Sequence, residues 1–369
     1  MVVKHLKSNR RFIFSNLAKK MLRKLLFPLI FIIGCSFNFA QTTYEIHTIG
    51  FYNLENLFDI KDDSLTLDEI SPIMEIEYNR ENIYRQKINN MAKVISQIGR
   101  AKTNIAPTII GVAEIENHNV LKDLLSSPHL KNEAYNYIHY DSPDRRGIDV
   151  ALLYNSNFFS PIQHEVFELK LWNEEGYPIY TRDQLLVSGY LQNELIHIIV
   201  NHWPSRRGGT ARSSFKREKA AYLNVQIIEK LRKNDPNAKI IIMGDLNDDP
   251  IDKSIKSVLL NSENFPDNNL YNPSEELFKN GENTLVYRDQ LNMFDQIILS
   301  KSLLNKDKKK DLNDFKLYKA GVFKPNYLIT SKGKYKGYPF RSFAGAHYTG
   351  GYSDHYPVYI YVIRNLLRN

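Results

Sequence analysis

The stretch KIIIMGDLNDDP, residues 239–250, begins as an apolar run from Ile240 to Met243, stops at Gly244 and turns acidic at once. A run this short, rich in β-branched residues and bounded by glycine, predicts a strand buried on both faces. Its end carries Asp245, Asn247, Asp248 and Asp249. Taken alone, Asp-Leu-Asn after a strand reads as a turn, because Asp and Asn side chains cap turns and helices. Carboxylates at the end of a buried strand are nonetheless costly unless a cation or partner meets them.

Six further apolar, β-rich runs share this character: YEIHTIGFYNL (44–54), TIIGVAEI (108–115), IDVALLY (148–154), LIHIIVNHW (195–203), MFDQIILS (293–300) and YPVYIYVI (356–363). Between them, Ile88, Met91, Ala92, Ile95 and Ile98 recur at helical spacing, as do Ala220, Leu223, Ile227, Ile228 and Leu231. The expected class is α/β, with sheet and helix layered. Polar stretches at 60–80, 261–292 and 301–345 read as surface loops, and the basic NKDKKKDL at 305–312 as a solvated one.

The formal charge of +8 invites a nucleic-acid or membrane partner until the basic residues are located. Residues 1–40 hold eight Lys and Arg and no acid, leaving 41 of each sign in the remainder. That front segment runs into an apolar stretch from Leu25 to Ile33, of export-signal length and too short to span a bilayer. A start at Met21 would make a more ordinary signal. Cleavage after Ala40 would release an exported chain, whereas Ile32-Ile33-Gly34-Cys35 also resembles a lipoprotein box, the one route to a membrane. Cys35 is the sole cysteine, so no internal disulfide is expected. Residues 41–366 contain no linker or repeat and read as one domain.

Five of the strands end in groups that bind metal or move protons: Asn53 and Glu55, Glu114 and Glu116, Asn201 and His202, Asp245 and Asn247, Asp354 and His355. Asp295 joins them from inside a sixth. Each has a bland reading by itself, as a cap, a core histidine or a paired acid, but six coincidences at strand ends want one cause. Oxygen ligands without Cys or paired His suit Mg²⁺ or Mn²⁺. The NTPase loop, the dinucleotide fingerprint, the serine-hydrolase elbow and HExxH are all absent. Acids, two histidines and a hard cation point to phosphoryl chemistry.

In this order and spacing NLEN, VAEIEN, RRGIDVALLY, NHWPSR, MGDLND, FDQI and SDHYPV resemble the motifs of the endonuclease/exonuclease/phosphatase superfamily, over about residues 46–362. The resemblance implies a four-layer α/β sandwich with two mixed sheets face to face. It implies Glu114 as principal metal ligand, with Asn53 beside it and Asp354 as a further ligand. Asp245 would orient or deprotonate the attacking water and Asn247 would hold a phosphate oxygen or that water. His355, hydrogen-bonded by Asp295, would bind the scissile phosphate as a cation, His202 would be a general acid, and Arg146 a phosphate contact.

The expected function is an exported metal-dependent nuclease acting on DNA or RNA. The alternative is a phosphatase or phospholipase-C-like enzyme on nucleotides, inositol phosphates or sphingomyelin. A catalytically idle binding protein is a third reading, but it predicts lost site residues and none is missing. Mg²⁺ or Mn²⁺, and a structural Ca²⁺, are the expected cofactors; a monomer with no stable protein partner is the expected state.

Overall fold

The structure, a computed structural model, describes residues 43–261, 270–305 and 312–366. The export segment, with Met21 and Cys35, and most of the basic 305–312 loop lie outside them. The chain enters as β1 (Tyr44–Leu57), β2 (Ile109–Ile115), β3 (Tyr135–His139) and β4 (Asp149–Asn155). It continues through β5 (Phe159–Phe167), β6 (Gln184–Leu191), β7 (Glu194–His202) and β8 (Ile240–Asp245), then β9 (Leu270–Tyr271), β10 (Asp295–Ser300), β11 (Lys316–Val322) and β12 (Val358–Asn365). These pair as two six-stranded sheets, β11-β12-β1-β2-β4-β3 and β9-β10-β8-β7-β6-β5. Each is mixed: β1 is parallel to β2 and β7 to β8, while their other neighbours run antiparallel.

Alternation along the strands sorts side chains into layers. On β8, Ile241 and Met243 face Phe51, Ala113, Val150, Val200 and Ile360 in a core between the sheets. Ile240 and Ile242 face outward onto helix α3, residues Thr210–Asn234, through Ala221, Val225 and Ile228. The other sheet packs its outer face, including Tyr52, Leu54, Ile110 and Val112, on α1 (Arg80–Gln97) and α2 (His118–Ser126). Two sheets face to face with helices outside is the expected four-layer sandwich. Fully burying each such Ile, Leu or Val contributes about 1.5–3 kcal/mol. Gly111 lets the sheets close, since a Cβ there would lie 2.6 Å from Met243 Sδ.

The structure departs from the sequence reading at the sheet margins. β3, β5 and β11 are edge or near-edge strands with half-exposed, polar-rich faces, so they lack a continuous apolar run. β11 lies within the 301–345 stretch expected to be loop, and 261–292 contains a hairpin, Leu285–Tyr287 with Gln290–Asn292. Asp295 opens β10 and does not sit inside it. No helix among the described residues is long and apolar enough to cross a membrane.

Candidate active site

The ends of β1 and β2 in one sheet meet the ends of β7 and β8 in the other. Pairing register alone places Asp245 between His202 of β7 and Asp295 of β10. Gly244 makes this close pairing possible, because a Cβ there would stand 2.3 Å from the Asn201 carbonyl oxygen. Across the gap, Asn53 Nδ2 donates to Asp245 Oδ2 and to Glu114 Oε1, both at 3.1 Å.

Glu114 reaches this point through a distorted backbone. β2 is irregular between Ala113 and Ile115, and Glu114 has φ of 59°; on β1, Glu55 and Asn56 have φ of 47° and 48°. Left-handed geometry costs an L-residue roughly 1–2 kcal/mol. Part of the return is local: Asn56 N donates to Glu114 Oε2 at 2.9 Å, and Glu55 N to Asn53 Oδ1 at 2.9 Å.

One ligand atom from each of Glu114, His202 and Asp245 lies within 4.8 Å of the others. His202 Nε2 is 3.7 Å from Asp245 Oδ2 and 3.9 Å from Glu114 Oε1. Burial pushes the Asp245 carboxyl up to about 7, with the charges of Asp295 and Glu114 adding to it and His355 opposing. Two carboxylates and an imidazole converging without a Lys or Arg paired to either acid form a donor set that fits a divalent cation. Asp245 Oδ1 also accepts from Asn247 N at 3.0 Å, and Asn247, at φ of 52°, donates its amide to the Trp203 carbonyl at 3.0 Å.

The two histidines are tuned in opposite directions. Burial by itself would lower the His355 pKa, but Asp295, whose Oδ2 lies 2.6 Å from Nδ1, together with Asp245 and Asp354, holds it well above the usual imidazole value. His355 is the cation of the site. Ser353 anchors it, accepting from His355 N at 3.0 Å and donating to the Asn53 carbonyl at 2.7 Å. His202 is held well below the usual value by burial, then by Arg182, Arg146 and His355. It is therefore a neutral donor or ligand in this state, unlike the proton-loaded general acid expected from the sequence.

Arg146 is oriented by Asp144, which accepts from its Nε and Nη2 at 3.1 Å each. The same Asp144 accepts from the buried Arg182 at 3.0 Å, while Arg182 also donates to the carbonyls of His202 and Trp203. Around these groups opens a cleft of about 830 Å³, lined further by Arg206, Arg207, Tyr287, Arg288 and Phe294.

Three sequence candidates sit elsewhere. Asp354 accepts from Arg341 Nη2 at 3.1 Å, and Arg341 Nε donates to Glu55 at 3.1 Å, so a guanidinium stands between these two acids. The Asn201 amide is consumed by Trp203, Asn224 and backbone carbonyls, and Glu116 turns back to accept from Asp59 N. Asp144, Arg182 and the 285–292 hairpin were not singled out in the sequence. The one available signal was Asp144 beside Arg145 and Arg146 in the SPDRRG turn.

The sequence matches the Endonuclease/Exonuclease/phosphatase family over residues 48–364. The chain belongs to that family. Members of the endonuclease/exonuclease/phosphatase family are metal-dependent phosphoric-ester hydrolases, and the acids and histidines brought together here are the groups such chemistry needs. Among solved structures it is similar to a protein of this family from Bacteroides thetaiotaomicron, with 16% identity, TM-score 0.52, and coverage of 89% of this chain and 98% of that one. It is also similar to D. rerio TDP2 humanized by 14 mutations, at 13% identity, TM-score 0.51, and coverage of 86% and 98%. At these identities the likeness is one of fold. No curated protein sequence matches the chain.

Proposed function

We propose that the chain is an exported nuclease that hydrolyses phosphodiester bonds of DNA or RNA with Mg²⁺ or Mn²⁺. The observation that carries this reading is the placement of Glu114, Asp245, His202 and the His355–Asp295 pair in a cleft lined by Arg146, Arg206, Arg207 and Arg288. Such a floor suits one phosphate undergoing attack, and such a lining suits the charges on either side of it. Aromatic groups lie beside the cations: exposed Tyr287 next to Arg288, and Tyr180 under Arg145, whose guanidinium is 5.4 Å from the ring centre. Arg next to an aromatic face offers a stacking platform for unpaired bases. Export is supported by the basic and apolar segment before Ala40.

Glu114, with Asp245 and His202, would hold the metal, which supplies charge neutralisation and polarisation of the phosphate when bound. Asp245, raised toward neutrality and fixed by Asn53 and Asn247, accepts the proton of the attacking water. His355 stays cationic on Asp295 and stabilises the negative charge that builds on the phosphate oxygens. Neutral His202 donates a hydrogen bond to an oxygen of the same phosphate. Arg146, fixed in direction by Asp144, binds the neighbouring phosphate.

The test is product release with Mn²⁺ or Mg²⁺ from supercoiled plasmid and single-stranded RNA, beside inositol phosphates and sphingomyelin, with EDTA and Asp245→Asn as controls. Cutting of nucleic acid lost in both controls supports the proposal. Intact nucleic acid with phosphate or phosphocholine released from the small substrates replaces it with a phosphatase or lipase.

A further inference from the structure

The segment after β1 collects acids around a point with no cation. Asp59, Asp68 and Glu116 are 6%, 0% and 5% exposed, and among the described residues none of them forms an ion pair, nor do Asp62, Asp63 and Glu69. One carboxylate oxygen from each of Asp62, Asp68 and Glu69 lies within 4.8 Å of the others, and the charges of Asp59, Asp63 and Asp68 all reach Glu116.

A cluster of acids on a surface loop would mean little by itself. Here one member is sealed in and incomplete. Asp68 Oδ2 accepts from Asp63 N at 3.0 Å, while its Oδ1, equally buried, receives no donor at all. A buried carboxylate oxygen lacking both water and donor is strongly unfavourable, and no Lys or Arg compensates it. A bound cation removes the penalty for Asp68 and the repulsion among its neighbours in one step.

We infer that residues 59–69, with Glu116, bind a hard divalent cation of the Ca²⁺ type, separate from the Glu114 site. The side chains on offer are carboxylates, with no imidazole or thiol among them, which selects Ca²⁺ over the softer transition metals. The loop is tied to the cleft: Leu67 N donates to the Arg145 carbonyl at 2.7 Å, and Thr66 packs beside Gly147. Ca²⁺ here stiffens the turn that presents Arg146.

The experiment uses the full chain stripped with EDTA and carrying Glu114→Gln, so that the catalytic centre contributes little binding and hydrolytic activity is not the readout. CaCl₂ is titrated by calorimetry, and TbCl₃ by luminescence excited through tyrosine; Tyr84 is close enough to feel the charges of Asp59 and Glu116. One Ca²⁺ per chain is expected, with Kd between about 10⁻⁶ and 10⁻⁴ M, and a Tm rise of about 4 °C at a hundredfold excess over Kd. Asp68→Asn should weaken binding by more than about tenfold, the loss of one charged ligand. Asp62→Asn and Glu69→Gln, on exposed residues that leave the fold intact, should each weaken it severalfold. Absence of Ca²⁺ and Tb³⁺ binding, or affinity unchanged in all three variants, overturns the inference, and neither result bears on the nuclease proposal.

Discussion

Asn53 and Asp245 lie 192 residues apart and in opposite sheets, yet one amide hydrogen of Asn53 closes a 3.1 Å bond on the Asp245 carboxylate. Because the same amide nitrogen also donates to Glu114, Asn53 sets the spacing of the two acids. Asn53→Ala should lower kcat by about 10²-fold, the scale of a lost positioning contact, and destabilise the fold by about 1–3 kcal/mol through the orphaned acceptors. Asn53→Asp should be worse, since it adds a third negative charge. Steady-state kinetics and urea unfolding measure both.

The His355–Asp295 pair carries a pH prediction. The folded His355 pKa is raised, so its stabilising contribution is fully present below the unfolded value and is lost as pH rises through the folded one. Asp295→Asn removes the main raising influence, and burial then pulls the imidazole down. The alkaline limb of the kcat/KM profile should move to lower pH, with a loss of about 10²–10³-fold at pH 8, comparable to removal of one oxyanion donor, and a smaller loss at pH 5.5. An unshifted limb would show that His355 does not act as a cation.

Arg182 is buried on Asp144 and on two backbone carbonyls beside His202. Arg182→Met keeps the volume but strands those acceptors, and should cost about 3–5 kcal/mol, the range for breaking a buried pair. Asp144 retains Arg146, which places the value at the lower end. Chemical denaturation checks it.

Arg341 occupies the space between Glu55 and Asp354, so Asp354→Ala and Arg341→Ala should act as one unit. A double-mutant cycle should show coupling of about 0.5–3 kcal/mol, with Mn²⁺ affinity at the Glu114 site changed only severalfold in either single variant. Complete loss of Mn²⁺ binding in Asp354→Ala would restore the ligand role that the sequence resemblance implied.

Locality explains which features could be read in advance. Ile240 to Met243 and the acids after Gly244 announce a buried strand with a loaded end, and the same local signature recurs at Asn53, Glu114, His202 and His355. A two-sided strand needs only neighbouring residues to declare itself. β5 and β11 stayed hidden because an edge strand is half solvated and its polar positions look like loop.

Sequence by itself thus determined the α/β class, the family, and the identity of the residues that meet in the cleft. Tertiary structure decided how each one behaves, because charge and burial depend on groups far away in the chain. His355 is held cationic by Asp295, sixty residues earlier, and His202 neutral by Arg182 and Arg146. Asp354 is taken up by Arg341, and Asp68 has an oxygen with no donor. None of these pairings leaves a periodicity or a motif, since each arises only when separate strands and loops are folded against one another.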